Sequence, residues 1–159
     1  MDETTPTRIR HIFLSPRPSF ALTTAALLLG MTMRELKREL ESGAIVAVST
    51  RLGQRVAREE MIAAAFRTWQ QTVIEDALGE EAAALLPEAI RLVELRARVP
   101  RYQRDMLRYL ARRDGTSVDE VLTRELEDVA GAHAEELAAA VAGFELALRW
   151  PERAVVEAS

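Results

Sequence analysis

The sequence contains no cysteine, which excludes disulfides, thiolate metal sites, iron–sulfur ligation and a cysteine nucleophile. Its 2 histidines, His11 and His133, stand too far apart for an HExxH or His-x3-His metal pattern. The signature runs of common hydrolases and nucleotide enzymes, GxSxG, GxGxxG and the P-loop, are also missing. Aromatics make up 5% of the chain, so the core has to be built from Leu, Ala and Val. No apolar run approaches the roughly 18 residues of a membrane helix. The opening MDETTPTR is acidic and then polar, without the basic and apolar regions of a secretory signal. These absences predict a cytoplasmic protein that is not an enzyme, with no cofactor, no metal site and no membrane partner.

What is present suits a folded chain: 48% hydrophobic and 29% charged residues over a length of 159, room for one medium domain or two small ones. The formal net charge of −4 hides a pattern. Residues 1 to 70 carry 10 Lys+Arg against 7 Asp+Glu, and residues 71 to 90 carry 5 acids and no base. Residues 91 to 113 carry 8 bases against 2 acids, and residues 114 to 159 carry 3 against 11. Two basic segments thus alternate with two acidic ones, and local basic charge is what polyanions respond to.

Residues 1–19 hold Pro6, Pro16 and Pro18 among Thr and Ser, and Arg8, Arg10 and Arg17 make them basic; the reading is a flexible basic arm. From Phe20 the run FALTTAALLLGMTMRELKRELESGAIVAVSTRLGQRVAREEM reads as one small unit over 20–60. Thr23 caps a helix through Leu29, Gly30 ends it in a left-handed C-cap, and Thr32 caps a second helix through Glu41. Ser42 and Gly43 close that helix, after which Ile45, Ala47 and Val56 flank a polar tip, TRLGQR, with Gly53 at the turn.

This order resembles the winged helix-turn-helix of the MerR and excisionase type, which shows L-T-x-x-x-A-x-x-L-G, a recognition helix, S-G, a hairpin wing and a closing helix. The resemblance implies that the second helix enters the major groove and the wing lies against the backbone or minor groove. By position it implies that Arg34, Lys37 and Arg38 face DNA from the helix, and Arg51, Gln54 and Arg55 from the wing. The same helix also carries Glu35, Glu39 and Glu41, and charges of both signs at helical spacing also make an ordinary solvated face.

Beyond the wing, Ile62, Ala65, Phe66, Trp69 and Val73 mark one face of a long helix from Ala57 to Ala77, stopped by Gly79. A short acidic helix then runs from Glu80 to Leu86, before Pro87. Residues 61–90 are read as a helical connector. The period changes to two at Val93, Leu95, Ala97 and Val99, which alternate with Glu94, Arg96 and Arg98 before Pro100, and this predicts one short strand. Tyr102, Met106, Tyr109 and Leu110 form a helical stripe, Gly115 ends that helix, and Ser117 caps another containing Val118, Leu122, Leu126 and Val129.

The run LRARVPRYQRDMLRYLARRDGTSVDEVLTREL, within 91–130, resembles the ribbon-helix-helix family of the Arc and MetJ repressors, through a short alternating strand ending in hydrophobic-Pro and LA-x-x-x-G-x-SV. The resemblance implies a homodimer through residues 91–130, in which two chains pair their strands and insert the ribbon into the major groove. It further implies that Glu94, Arg96 and Arg98 read bases and that the amides around Ser117 and Val118 grip a phosphate.

Residues 131–159 form the C-terminal helix and tail, with Leu137, Val141, Phe144 and Leu148 at helical spacing. One reading packs this helix on the Ile62, Phe66 and Trp69 face or on a dimer mate. The other makes it an acidic segment that binds a partner protein. The sequence thus predicts a mainly α fold: winged helix-turn-helix, helical connector, ribbon-helix-helix dimerisation module and C-terminal helix. The expected function is a dimeric, sequence-specific binder of double-stranded DNA, nucleoid-associated in the cytoplasm and used in transcription regulation. The alternatives are an antitoxin or adaptor acting through its C-terminal helix, and an architectural or segregation DNA-binding protein.

Overall fold

Ile9, Ile12 and Phe13 recur at helical spacing, and in the computed structural model they form the buried face of helix α1 (Thr4–Leu14). The structure describes residues 4–51 and 53–151. The remainder, which includes the start of the expected arm, one residue of the wing tip and the end of the expected tail, lies outside the described residues. The expected irregular arm is therefore corrected over Thr4–Leu14. Pro6 falls in the first turn, where its missing N–H costs no intrahelical bond, and Pro16 and Pro18 follow the helix end. Arg10 anchors α1: its guanidinium donates to the carbonyls of Ala77 and Leu78 at 3.2 and 3.3 Å and pairs with Glu81 at 2.7 Å.

The chain divides into two units, Met1–Leu92 with Leu146–Ser159, and Val93–Glu145. The first contains all three strands of the described residues, in one antiparallel sheet of order β1-β3-β2. Strand β1 (Ser19–Ala21) leads directly into α2 (Leu22–Leu29), whose N-cap is Ala21, without a side-chain cap, rather than the expected Thr23. Gly30 (φ 70°) turns the chain through the left-handed region, and Met31 N–H returns to the Ala26 carbonyl at 2.9 Å. Helix α3 (Met33–Ser42) follows, then the hairpin of β2 (Ala47–Thr50) and β3 (Gly53–Ala57). In register, Ala47 faces Val56 and Thr50 faces Gly53 across the hairpin, while Phe20 of β1 faces Val56 on the other side of β3. Strand β1, absent from the expected elements, is too short to show a period in the sequence.

The expected long helix from Ala57 to Ala77 is two helices, α4 (Arg58–Thr68) and α5 (Gln71–Leu78), separated by extended backbone at Trp69 and Gln70. The reason is geometric. Helix α4 buries Met61, Ala64 and Ala65, and α5 buries Ile74, Ala77 and Leu78. On one continuous helix those two sets would point roughly 140° apart at 3.6 residues per turn. Breaking the helix lets both face one core, with α5 packed against α1. A short helix α6 (Ala82–Leu85) and buried Leu86 complete this cluster together with Phe20, Leu36, Ile45 and Val56. The stretch expected as a connector thus supplies core residues to the unit carrying the hairpin. Phe66 packs edge-on against Phe13 and Trp150, with centroids 6.0 and 6.2 Å away.

In the second unit no strand forms over 93–99, and Val93 and Leu95 are 85% and 67% exposed. The expected strand is corrected for this single chain: an isolated strand has no neighbour to take its backbone groups or cover its apolar side chains. Helices α7 (Arg101–Asp114) and α8 (Val118–Ala132) pack together, joined by Gly115 (φ 67°) and capped at Ser117. Of their described side chains, Ala111 and Val121 are the buried hydrophobics. The expected continuous C-terminal helix is interrupted: α9 (Ala134–Ala140) and α10 (Phe144–Arg149) are separated around Gly143 at φ 77°. The described structure is therefore mainly helical with one small antiparallel sheet, and among the described residues no helix is long and apolar enough to cross a membrane.

Candidate nucleic-acid interface

Helix α3 turns Met33, Leu36 and Leu40 toward the core, so the intervening positions face solvent. Arg34, Lys37 and Arg38 occupy those positions; all three are exposed, and none forms an ion pair among the described residues. The acids that dilute this helix in the sequence are partly explained by its start. Thr32 and Glu35 form a capping box: Thr32 N–H donates to the Glu35 carboxylate at 2.7 Å, and Glu35 N–H donates to the Thr32 hydroxyl oxygen at 3.2 Å. The Thr32 backbone N–H, then its hydroxyl, hold the Glu35 carboxyl below the usual carboxylate range.

The hairpin follows immediately. Ile45 is buried and its N–H donates to the Glu39 carbonyl at 3.1 Å, which fixes the exit from α3. Glu60, itself buried, accepts the Val46 N–H at 2.9 Å, and Arg67 donates to the Ala44 carbonyl at 2.7 Å. These two α4 side chains pin the base of the hairpin. Sequence reasoning missed both, since an acid in the first turn and a base in the last turn of a helix also arise for dipole reasons alone.

At the hairpin, Arg51 lies in the turn and Gln54 on β3, both exposed. Arg55 differs. It is half-buried, its Nε donates to the Ser19 hydroxyl and a terminal nitrogen donates to the Ser19 carbonyl, each at 2.8 Å. Its guanidinium ties β3 to β1.

The expected ribbon residues sit in the second unit. Glu94 and Arg96 pair with each other at 3.1 Å, both largely exposed, and Arg98 is exposed with no ion-pair partner among the described residues. Ser117 is the N-cap of α8. Its hydroxyl accepts Glu120 N–H at 3.1 Å, and its own N–H donates to the Glu120 carboxylate at 3.0 Å. The amide of Ser117 therefore donates within its own chain, to the carboxylate of Glu120.

The structure thus brings Arg34, Lys37, Arg38, Arg51 and Gln54 together in one unit on a capped helix and the hairpin that follows it. Glu94, Arg96, Arg98 and Ser117 belong to the other. Comparison with protein-family models, with curated proteins and with solved structures finds no match to this chain.

Proposed function

We propose that this protein is a dimeric, sequence-specific DNA-binding protein of the transcription-regulator kind, with a winged helix-turn-helix in its first unit and a ribbon-helix-helix in its second. The observation that carries the reading is the exposed face of α3: three solvent-facing cations on a helix capped at Thr32 and followed at once by a pinned hairpin. A helix presented this way can lay its side chains on base edges, while Arg51 and Gln54 contact the backbone. Dimerisation is the companion proposal, since Val93, Leu95, Val99, Leu126 and Val129 are exposed apolar residues in a unit with little core of its own. No catalytic step belongs to this reading.

The test is competition binding to duplexes selected from random sequence. Arg34→Ala and Arg38→Ala should each weaken binding to a selected duplex by about 1–3 kcal/mol and relax its sequence preference, as removal of a base-reading side chain does. Unchanged affinity and preference in both variants would reject the assignment. A second reading, an antitoxin or adaptor, draws on Leu146 and Leu148, which are about half exposed at 51% and 50%. A protein partner that dissociates on Leu146→Asp, with DNA binding unchanged, would favour it.

A further inference from the structure

Helix α7 places arginine at 101, 104, 108 and 112, spacings of 3, 4 and 4 that keep four guanidinium groups on one face. A solvated helix face normally sets opposite charges at i and i+4, whereas here Arg104, Arg108 and Arg112 follow one another at that spacing and repel. Asp105 relieves the first part of the row, lying 3.7 Å from Arg101 and 2.7 Å from Arg104. Asp114 takes Arg113 and Arg124 instead. Arg108 and Arg112 have no carboxylate partner among the described residues; the Arg112 Nε donates to the Arg108 carbonyl at 3.2 Å. Together with Asp105, Ala111, Thr116 and Val118 they line an open cleft of about 400 Å³.

We propose that this face of α7 is a phosphate-binding surface that takes the backbone of a nucleic acid, with Arg108 and Arg112 as its principal contacts. The proposal rests on the DNA-binding reading above and adds a contact surface outside both expected reading heads. Two forked guanidinium groups beside a cleft suit the free oxygens of a phosphodiester, and an anion there relieves the repulsion between them. The row from Arg101 to Arg112 runs about 16 Å at 1.5 Å per residue. Laid along one strand, a row of that length reaches a few successive phosphates, enough for the two principal contacts. Such contacts position the protein and carry no sequence information.

The experiment measures binding of the full-length protein to several unrelated duplexes between about 50 and 200 mM salt. The Arg108→Gln/Arg112→Gln double variant should lower the magnitude of the log–log salt slope by about 2 for each chain bound, because each neutralised phosphate contributes about 0.9. The loss should be equal on every duplex, and Arg108→Lys/Arg112→Lys should restore most of the slope. The control Arg113→Gln/Arg149→Gln removes the same charge from residues that do not line the cleft and should keep the wild-type slope; a drop equal to that of the cleft variant overturns the proposal. Far-UV circular dichroism checks that each variant is folded. A wild-type slope in the Arg108→Gln/Arg112→Gln protein, with binding intact, overturns this proposal and leaves the DNA-binding reading standing. Absence of duplex binding by the wild type overturns both. If inorganic phosphate raises the melting temperature of the wild type but not of the Gln variant, while their salt slopes are equal, the cleft serves a free anion and the nucleic-acid assignment falls.

Discussion

Arg55 reaches Ser19 across the β1–β3 pair with two hydrogen bonds of 2.8 Å, one to the hydroxyl and one to the backbone carbonyl. The sheet that carries the hairpin is thereby closed by a side chain whose place in the sequence predicts DNA contact. Arg55→Ala should lower stability by about 1.5–3 kcal/mol, the range for hydrogen bonds made by a charged group. Arg51→Ala, which removes an exposed turn cation, should leave stability within about 0.5 kcal/mol and weaken DNA binding instead. Urea unfolding of the two variants checks this, and equal midpoints would remove the structural role given to Arg55.

Helix α1 belongs to the core of the first unit, with Ile12 wholly buried. Ile12→Ala leaves a cavity beneath the α1–α5 contact and should cost about 2–5 kcal/mol. Thermal unfolding followed by circular dichroism measures it, and a melting temperature unchanged from wild type would return residues 4–14 to the status of a loose arm.

The signals that the sequence displays are those whose cause is local. Gly30, Gly43 and Gly115 take positive φ at helix ends, and Thr32 and Ser117 cap helices with the Glu three residues on, because these geometries depend on a few neighbouring residues. Where partners are distant, the sequence is mute. Nothing near Trp69 announces the break that lets α5 meet α1, and Ser19 lies 36 residues from the guanidinium it receives. Pro6 weighs against a helix by composition, yet the first turn tolerates it. At the candidate site, the exposed cations of α3 follow from the apolar period of Met33, Leu36 and Leu40. The engagement of Ser117 N–H by Glu120 needs only the capping-box spacing and was legible in principle.

Acid should destabilise the first unit through Glu81. Its carboxyl is held below the usual range chiefly by the hydrogen bond from Arg10, and the pair ties α1 to the turn that follows α5. A carboxylate with a depressed folded-state pKa contributes stability that is present above its unfolded value, ordinarily near 4.5, and that is lost as pH falls through the folded value. The stability gap between wild type and Glu81→Gln should therefore be full at neutral pH and close below pH 4.5. Urea titrations at a series of pH values check the sign, and a gap that widens on acidification would contradict it.

Residues 93–99 alternate like a strand yet pair with none in the single chain. If two chains associate through this segment, each strand supplies the hydrogen-bonding neighbour the other lacks, and Val93, Leu95 and Val99 leave solvent together. Burying an apolar side chain of this size is worth about 1.5–3 kcal/mol, and a two-fold interface counts each residue twice. Leu95→Asp should therefore raise the dimer dissociation constant by at least about 100-fold, at 1.4 kcal/mol per tenfold. It should leave the first unit folded, since Leu95 lies outside that unit's core cluster. Sedimentation across a concentration series should show a wild-type dimer and a largely monomeric variant. Hydrogen exchange adds an independent reading: amides of 93–99 should be slow in the dimer and fast in Leu95→Asp. A wild type that remains monomeric, or a dimer whose 93–99 amides exchange at the rate of an open chain, would show that this segment stays unpaired and that the second unit completes its core by some other contact.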